Sequence, residues 1–169
     1  MSITLRPAHS DDLMAVGALH YRARLAAYRD FVPAEALAAI SAESMGRWWT
    51  ERWPYERDSH RMTVAEYDGR LVGFTYLGPA PDDPAVGELY AIHLDPSEQG
   101  KGVGKLLMVD ALESLRQRGW QRASLWVLAD NTHARRFYER GGWSVSGEER
   151  EGDVGTAITR QLRYVRDLP

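Results

Sequence analysis

The chain has 169 residues, 44% apolar and 27% charged, the balance of one folded globule with a single core rather than a disordered chain. Lys and Arg number 21 against 24 Asp and Glu, a net charge of −3, which argues against partners held mainly through phosphate charge, such as bulk DNA or an anionic membrane. Cysteine is absent, so disulfides, thiolate nucleophiles and Cys-based zinc sites are excluded together.

The first twelve residues lack the basic start and apolar stretch of a signal peptide, and a cytoplasmic protein is expected. Ile3 to Arg6 reads as a short strand, and Ser10 as the N-cap of a helix whose apolar positions are Leu13, Val16, Leu19 and Ala23. Further helical regions begin near Pro33 and near Ser41, the latter running to Pro54 with Trp48, Trp49 and Trp53. After residue 60 the period becomes alternating. Met62 to Tyr67 and Leu71 to Leu77 flank Asp68-Gly69, a hairpin signal. The stretch Gly78 to Pro84 is a loop, and Glu88 to Leu94 another strand. Val103, Leu106, Leu107, Ala111 and Leu115 form a helical stripe ended by Gly119. A strand from Ala123 to Leu128, a helix from Thr132 to Arg140 and two strands, Trp143 to Glu149 and Thr156 to Val165, complete the chain around a turn at Arg150 to Asp153. The order is that of a mixed α/β layer fold in one domain, residues 1–169. The longest uncharged stretch, Leu71 to Pro81, is short of the ~18 apolar residues of a membrane helix, so no membrane partner is expected. The five histidines show no metal-type spacing, and no metal site is expected.

The most informative segment joins the strand at Leu94 to the helix at Val103 through Gln99-Gly-Lys-Gly-Val-Gly-Lys105. Glycines here let the main chain approach a ligand, and free N–H groups at a helix start favour an anion such as a pyrophosphate. The plainer reading is a flexible turn. A nucleotide P-loop fails twice, because Leu106 follows Gly104-Lys105 and Gln99 stands where the earlier glycine belongs. A dinucleotide fingerprint is interrupted by the turn from Asp95 to Gln99.

Gln99-x-x-Gly102-x-Gly104 is the Gln/Arg-x-x-Gly-x-Gly/Ala pattern, and here the sequence resembles the GNAT superfamily of acyl-CoA-dependent N-acetyltransferases. Glu88 to Pro96 resembles its fourth strand and Leu125 to Asn131 its fifth. Ala134 to Trp143 is similar to its Asn-x-x-Ala-x-x-Phe-Tyr helix and that helix's exit. The resemblance covers about residues 62–165 and implies a mostly antiparallel, twisted sheet with splayed fourth and fifth strands and helices on both faces. Residues 10–57 would cover the acceptor side. The implied co-substrate is acetyl-CoA. Its pantetheine arm would pair with the backbone of Ile92, His93 and Leu94, and its pyrophosphate would meet Gln99, Gly100, Lys101, Gly102, Val103, Gly104 and Lys105. Asn131 would contact it too, while also being a good N-cap. Arg135 and Arg136 could approach its 3′-phosphate.

Within Glu88 to Leu94 the apolar phase switches, Leu89 and Ala91 first, Ile92 and Leu94 after, as a β-bulge would require. Glu88 matches the general base of several family members, with His93 in reserve. An alkylamine with a pKa of ~10.4 is about one part in 2,500 neutral at pH 7, so reaching the nucleophilic form costs about 4.6 kcal/mol. The plainer reading of Glu88 is a solvated strand-entry residue. Tyr138 matches the tyrosine that protonates the departing thiolate, though Ala134, Phe137 and Tyr138 also read as a core stripe. The expected function is acetyl transfer to a primary amine, on a small molecule or a peptide, by direct attack in a ternary complex. A non-catalytic acyl-CoA-binding module and O-acyl transfer are the alternatives, and a homodimer stays open because dimers are frequent in the family. Tyr21, Tyr28, Trp48, Trp49 and Trp53 could border an acceptor pocket, and Asp82 and Asp83 could attract positive charge.

Overall fold

A computed structural model describes residues 2–169. Seven strands form one sheet: β1 (Thr4–Pro7), β2 (Arg61–Tyr67), β3 (Arg70–Pro79), β4 (Gly87–Leu94), β5 (Arg122–Leu128), β6 (Ser144–Val154) and β7 (Ala157–Asp167). Their spatial order is β1-β2-β3-β4-β5-β7-β6. Every neighbouring pair is antiparallel except β4 and β5, which run parallel and pair only at Gly87–Ala123 and Glu88–Ser124. Beyond Glu88 the edge of β4 facing β5 has no strand partner among the described residues. The splay is therefore present.

Its origin is local. Leu89 pairs with Leu77 and Ala91 with Tyr76, so Tyr90 is the extra residue of a bulge in β4. Ahead of the bulge Leu89 points to one side; after it Ile92 and Leu94 take that side, packing with Val103 and Leu107. Ala91 and Tyr90 join Phe74, Tyr76 and Trp49 on the other.

Helices α1 (Leu13–Tyr28), α2 (Ala34–Ala38) and α3 (Ala42–Glu56) cover the latter side, while α4 (Val103–Gln117) and α5 (Thr132–Arg140) cover the former. Ser41 caps α3 by accepting from Ser44 N–H at 3.0 Å. Ser10 does not cap α1: it opens a 3-10 turn, and the Asp12 carboxylate accepts from His9 N–H while pairing with Arg6. In α4 the inward stripe is Val103, Leu107, Ala111 and Leu115, spaced by four; Leu106 is turned outward and exposed. The last hairpin also departs from expectation. Pairing continues through Asp153–Ile158 to Val154–Ala157, which moves the turn from 150–153 to Gly155-Thr156 and leaves Arg150 inside β6.

Helices α1 and α3 meet through glycines. A Cβ on Gly17 would overlap the Gly46 backbone, so the two axes approach as closely as main chain permits. Gly17→Ala is expected to lose about 1–3 kcal/mol of stability. A lowered urea midpoint would record that loss, and an unchanged midpoint would deny that the crossing is tight.

Candidate active site

The glycine turn hangs from carboxylates that hold it still. Asp95 accepts from Ser97 N–H at 3.1 Å and from its hydroxyl at 2.8 Å, and pairs with Arg22 at 2.8 Å. Glu98 is buried and reaches Arg70 at 3.2 Å and Lys101 at 3.4 Å. Downstream, Gly100 (φ +78°) and Gly102 (φ +85°) adopt the left-handed conformation that L side chains avoid. Gln99 N–H donates to the Pro96 carbonyl, and the next backbone donor with a partner is Leu106, whose first helical bond goes to Gly102 at 3.1 Å. The intervening amides, from Gly100 to Lys105, crown the N-terminus of α4, where the helix dipole favours an anion.

Beside them runs the unpaired edge of β4. Ile92, His93 and Leu94 bond only to β3, opposite Thr75, Phe74 and Gly73. Across the opening, Asn131 caps α5 by accepting from Ala134 N–H at 3.2 Å. Tyr138 projects from α5 into the core beside Trp143 and Tyr164, with ring centroids at 6.3 and 6.2 Å. Burial pushes its phenol above the ordinary range. Arg135 is held within the protein, by Tyr164 at 3.0 Å and the Ala129 carbonyl at 3.0 Å, and does not reach outward.

Glu88 sits where the two strands part. It is 5% exposed, its Oε1 has no hydrogen-bond partner among the described residues, and it is no solvated strand-entry residue. Burial raises its pKa, outweighing the attraction of Arg150 and Arg163. The bulge brings His93 to the same face, but the ring lies 4.4 Å from His20, centroid to centroid, against Phe74. Burial, reinforced by Arg24, drives its pKa down to about 3, which leaves a neutral imidazole of little basicity. His20 Nδ1 in turn accepts from Trp49 Nε1 at 3.2 Å, so its own proton resides on Nε2.

The strands beyond β5 supply groups that spacing alone did not reveal. Arg163 is buried and fully engaged: Asp82 bidentately at 2.7 and 3.0 Å, Glu148 at 3.0 Å and the Ser124 hydroxyl at 3.2 Å. Asp82 is thereby neutralised rather than free to attract a cation. Arg52 pairs with Glu56 and lies over the rings of Trp48, Tyr76 and Tyr90. Arg150 lies over Trp126, its guanidinium carbon 4.2 Å from the ring centre. Of the aromatic residues expected to border a pocket, Trp49 and Tyr28 are core, while Trp48 is 47% exposed. A cavity of about 140 Å³ past the end of β5, lined by Phe31, Leu128 and Thr159 among others, includes none of the predicted site residues. Among the described residues no cluster of three or more His, Asp or Glu could hold a metal ion, and no helix is long and apolar enough to cross a membrane.

Comparison with known proteins agrees with this architecture. The model of the acetyltransferase (GNAT) family matches residues 25–143, and the chain belongs to that family. Mycothiol acetyltransferase of Thermomonospora curvata is 40% identical over 87 residues, 52% of this chain and 29% of the relative. That of Saccharomonospora viridis is 33% identical over 137 residues, 68% of this chain and 44% of the relative. The chain thus spans less than half the length of these relatives. Among solved structures, PaiA N-acetyltransferase of Thermoplasma acidophilum in complex with coenzyme A superposes with a TM-score of 0.82 at 20% identity, covering 99% of both chains. The ribosomal-protein-S18-alanine N-acetyltransferase of Escherichia coli gives 0.73 at 18%, covering 99% of this chain and 94% of the other. At such identities the likeness is one of fold.

The raised pKa of Glu88 has a thermodynamic sign. The folded protein keeps this proton to higher pH than the unfolded chain, so the group favours the fold below the ordinary carboxyl range and loses that contribution as pH rises through its folded pKa. In Glu88→Gln the melting temperature relative to the parent is therefore expected to become more positive between pH 4 and pH 8, by about 2 °C or more. A difference flat with pH in calorimetric scans would contradict the burial.

Proposed function

We propose that the protein is an acetyl-CoA-dependent N-acetyltransferase acting on a primary amine by direct attack in a ternary complex. One observation carries the reading: the unpaired edge of β4 beyond Glu88 leads straight into the free amides between Gly100 and Lys105. An extended amide-bearing arm can pair with the edge at Ile92, His93 and Leu94, while a pyrophosphate takes the helix N-terminus behind Gln99. The Asn131 end of α5 would flank the arm. That the PaiA neighbour was solved in complex with coenzyme A supports coenzyme A as the ligand of this fold.

The acetyl thioester would then lie in the opening between β4 and β5, with Glu88 at its closed end. An acceptor arrives as an ammonium. Glu88 takes its proton, directly or through water, and the freed nitrogen attacks the thioester carbonyl. The carbon–sulfur bond breaks, sulfur leaves with the electron pair, and the second proton of the attacking nitrogen passes to that sulfur directly or through water, giving the amide and the free thiol of coenzyme A. Burial helps Glu88 here, because a carboxyl with a raised pKa is a stronger base than one in water. Tyr138 is protonated at neutral pH and suited to donate a hydrogen bond to the departing sulfur. Complete proton transfer from so weakly acidic a phenol to a thiolate of pKa ~8.5 is uphill, so the role is stabilisation of charge more than delivery of a proton. With no cysteine in the chain, direct transfer is simpler than an acyl-enzyme. The relatives' name, mycothiol acetyltransferase, supports a small-molecule acceptor over a protein one.

Titration calorimetry is expected to detect coenzyme A binding, and free-thiol release across an amine library to detect turnover. Absence of heat would remove the proposal; heat without turnover would leave a binding module. Glu88→Gln should lower the rate about 10²-fold or more at pH 7, with the deficit shrinking toward the pKa of the amine. A deficit constant from pH 7 to pH 10 would count against the base. Tyr138→Phe should reduce kcat by about tenfold with little change in coenzyme A affinity; an unaltered kcat would return Tyr138 to a packing role.

A further inference from the structure

The face of the sheet that carries Glu88 continues across β5 to β7 and β6. Glu88 pairs with Ser124, Trp126 pairs with Arg163, and Gln161 pairs with both Leu128 and Arg150. Directly opposed residues share a face, so Glu88, Trp126, Arg163, Gln161 and Arg150 form one surface. On it the cations are unequal. Arg163 is consumed by Asp82, Glu148 and Ser124, and Arg52 by Glu56 and its aromatic neighbours. Arg150 is different. Its Nε donates to Gln161 Oε1 at 2.7 Å and its plane is carried by Trp126, yet among the described residues its two terminal nitrogens meet no acceptor.

A guanidinium anchored by Nε and an indole is oriented before anything binds, and its free fork matches a carboxylate bidentately. Of the carboxylates nearby, Asp82 and Glu148 are committed to Arg163 and Glu149 to Arg160, while Glu88 feels the charge of Arg150 but makes no hydrogen bond with it. Trp126 lies two residues along β5 from the partner of Glu88, about 7 Å at the rise of a strand. A base for an ammonium and an unoccupied fork for an anion thus stand a short chain apart.

We propose that the acceptor is an amine that also bears a carboxylate, its ammonium turned to Glu88 and its carboxylate held by Arg150 over Trp126. The proposal rests on Glu88 being the base that takes the acceptor's proton. A simple cationic amine gains nothing from Arg150 and is repelled by it. An amino acid of suitable length satisfies both ends.

The test is a matched series: glycine, 4-aminobutanoate and 6-aminohexanoate, each against its primary amide, assayed by thiol release with acetyl-CoA. The best acid is expected to exceed its amide in kcat/KM by roughly 10- to 100-fold, the range for hydrogen bonds to a charged group. Arg150→Ala should bring that ratio to about one. Arg150→Lys, which keeps the charge but not the fork, should retain part of it. Arg140→Ala, at the exposed end of α5, should leave the ratio intact. A parent enzyme with no preference for any acid over its amide, or a preference that survives Arg150→Ala, overturns the proposal. Calorimetric titration of the same acids and amides, with and without coenzyme A, separates this outcome from failure of the enzymatic reading. If nothing is acetylated but an acid binds more tightly than its amide, and Arg150→Ala abolishes the difference, the subsite stands without the reaction. If acids bind no better than amides, or not at all, the subsite falls whatever the turnover.

Discussion

The structure depends on a failure of pairing. Two parallel strands at the centre of a sheet ordinarily hydrogen-bond along their length, since buried main-chain groups are costly to leave unpaired. Here β4 and β5 do so for two residues and then part. The one-residue insertion at Tyr90 reverses which side chains face α4, and it lets the second half of β4 satisfy its core contacts while following β3 away from β5. What remains is an unfilled backbone edge in the interior of an otherwise continuous sheet, ending at a helix N-terminus whose amides are also unfilled. Both sets of main-chain groups lack protein partners and point into the same opening.

Around the vertex of that opening, charge is distributed by burial. Glu88 is enclosed and its carboxyl resists ionisation, whereas Asp82, with most of its side chain in water, is held below its usual range by the Arg163 guanidinium. Two acids on the same side of one sheet thereby acquire opposite tendencies, one toward proton uptake and one toward permanent charge. The histidines behind them are kept neutral by enclosure, so the pair formed by His20 and His93 is aromatic packing more than acid–base machinery.

Local features of the chain were legible where their cause is local. The phase switch in Glu88 to Leu94 marks the bulge because a pleat has period two, and the alternating glycines mark the turn because two of them need positive φ. Asn131 before Thr132 announces a cap by its chemistry alone. What sequence spacing hid was mostly long-range. Asp82 and Arg163 are 81 residues apart, and their union turns a seemingly free acid into a spent one. Arg150 reads as part of a turn because Glu-Gly-Asp follows it, but cross-strand registry carries the strand five residues past Glu149 and lays the Arg150 side chain over Trp126. Leu106 shows the same limit on a smaller scale: with Leu107 and Ala111 facing the sheet, helical rotation turns it to solvent. The carboxylates that steady the glycine turn, Asp95 and Glu98, carry no signal in the sequence because their partners, Arg22 and Arg70, lie on elements distant in the chain.

The clamp between Asp82 and Arg163 has a mechanical corollary. The loop joining β3 to β4 is fastened to β7 by a guanidinium that is itself buried, so lifting the loop would cost that cation its bidentate partner and leave it only Glu148 and Ser124. That rim of the face behaves as masonry, not as a door. On that side the border of the face beside Glu88 is set by an ion pair and not by the loop's own backbone alone.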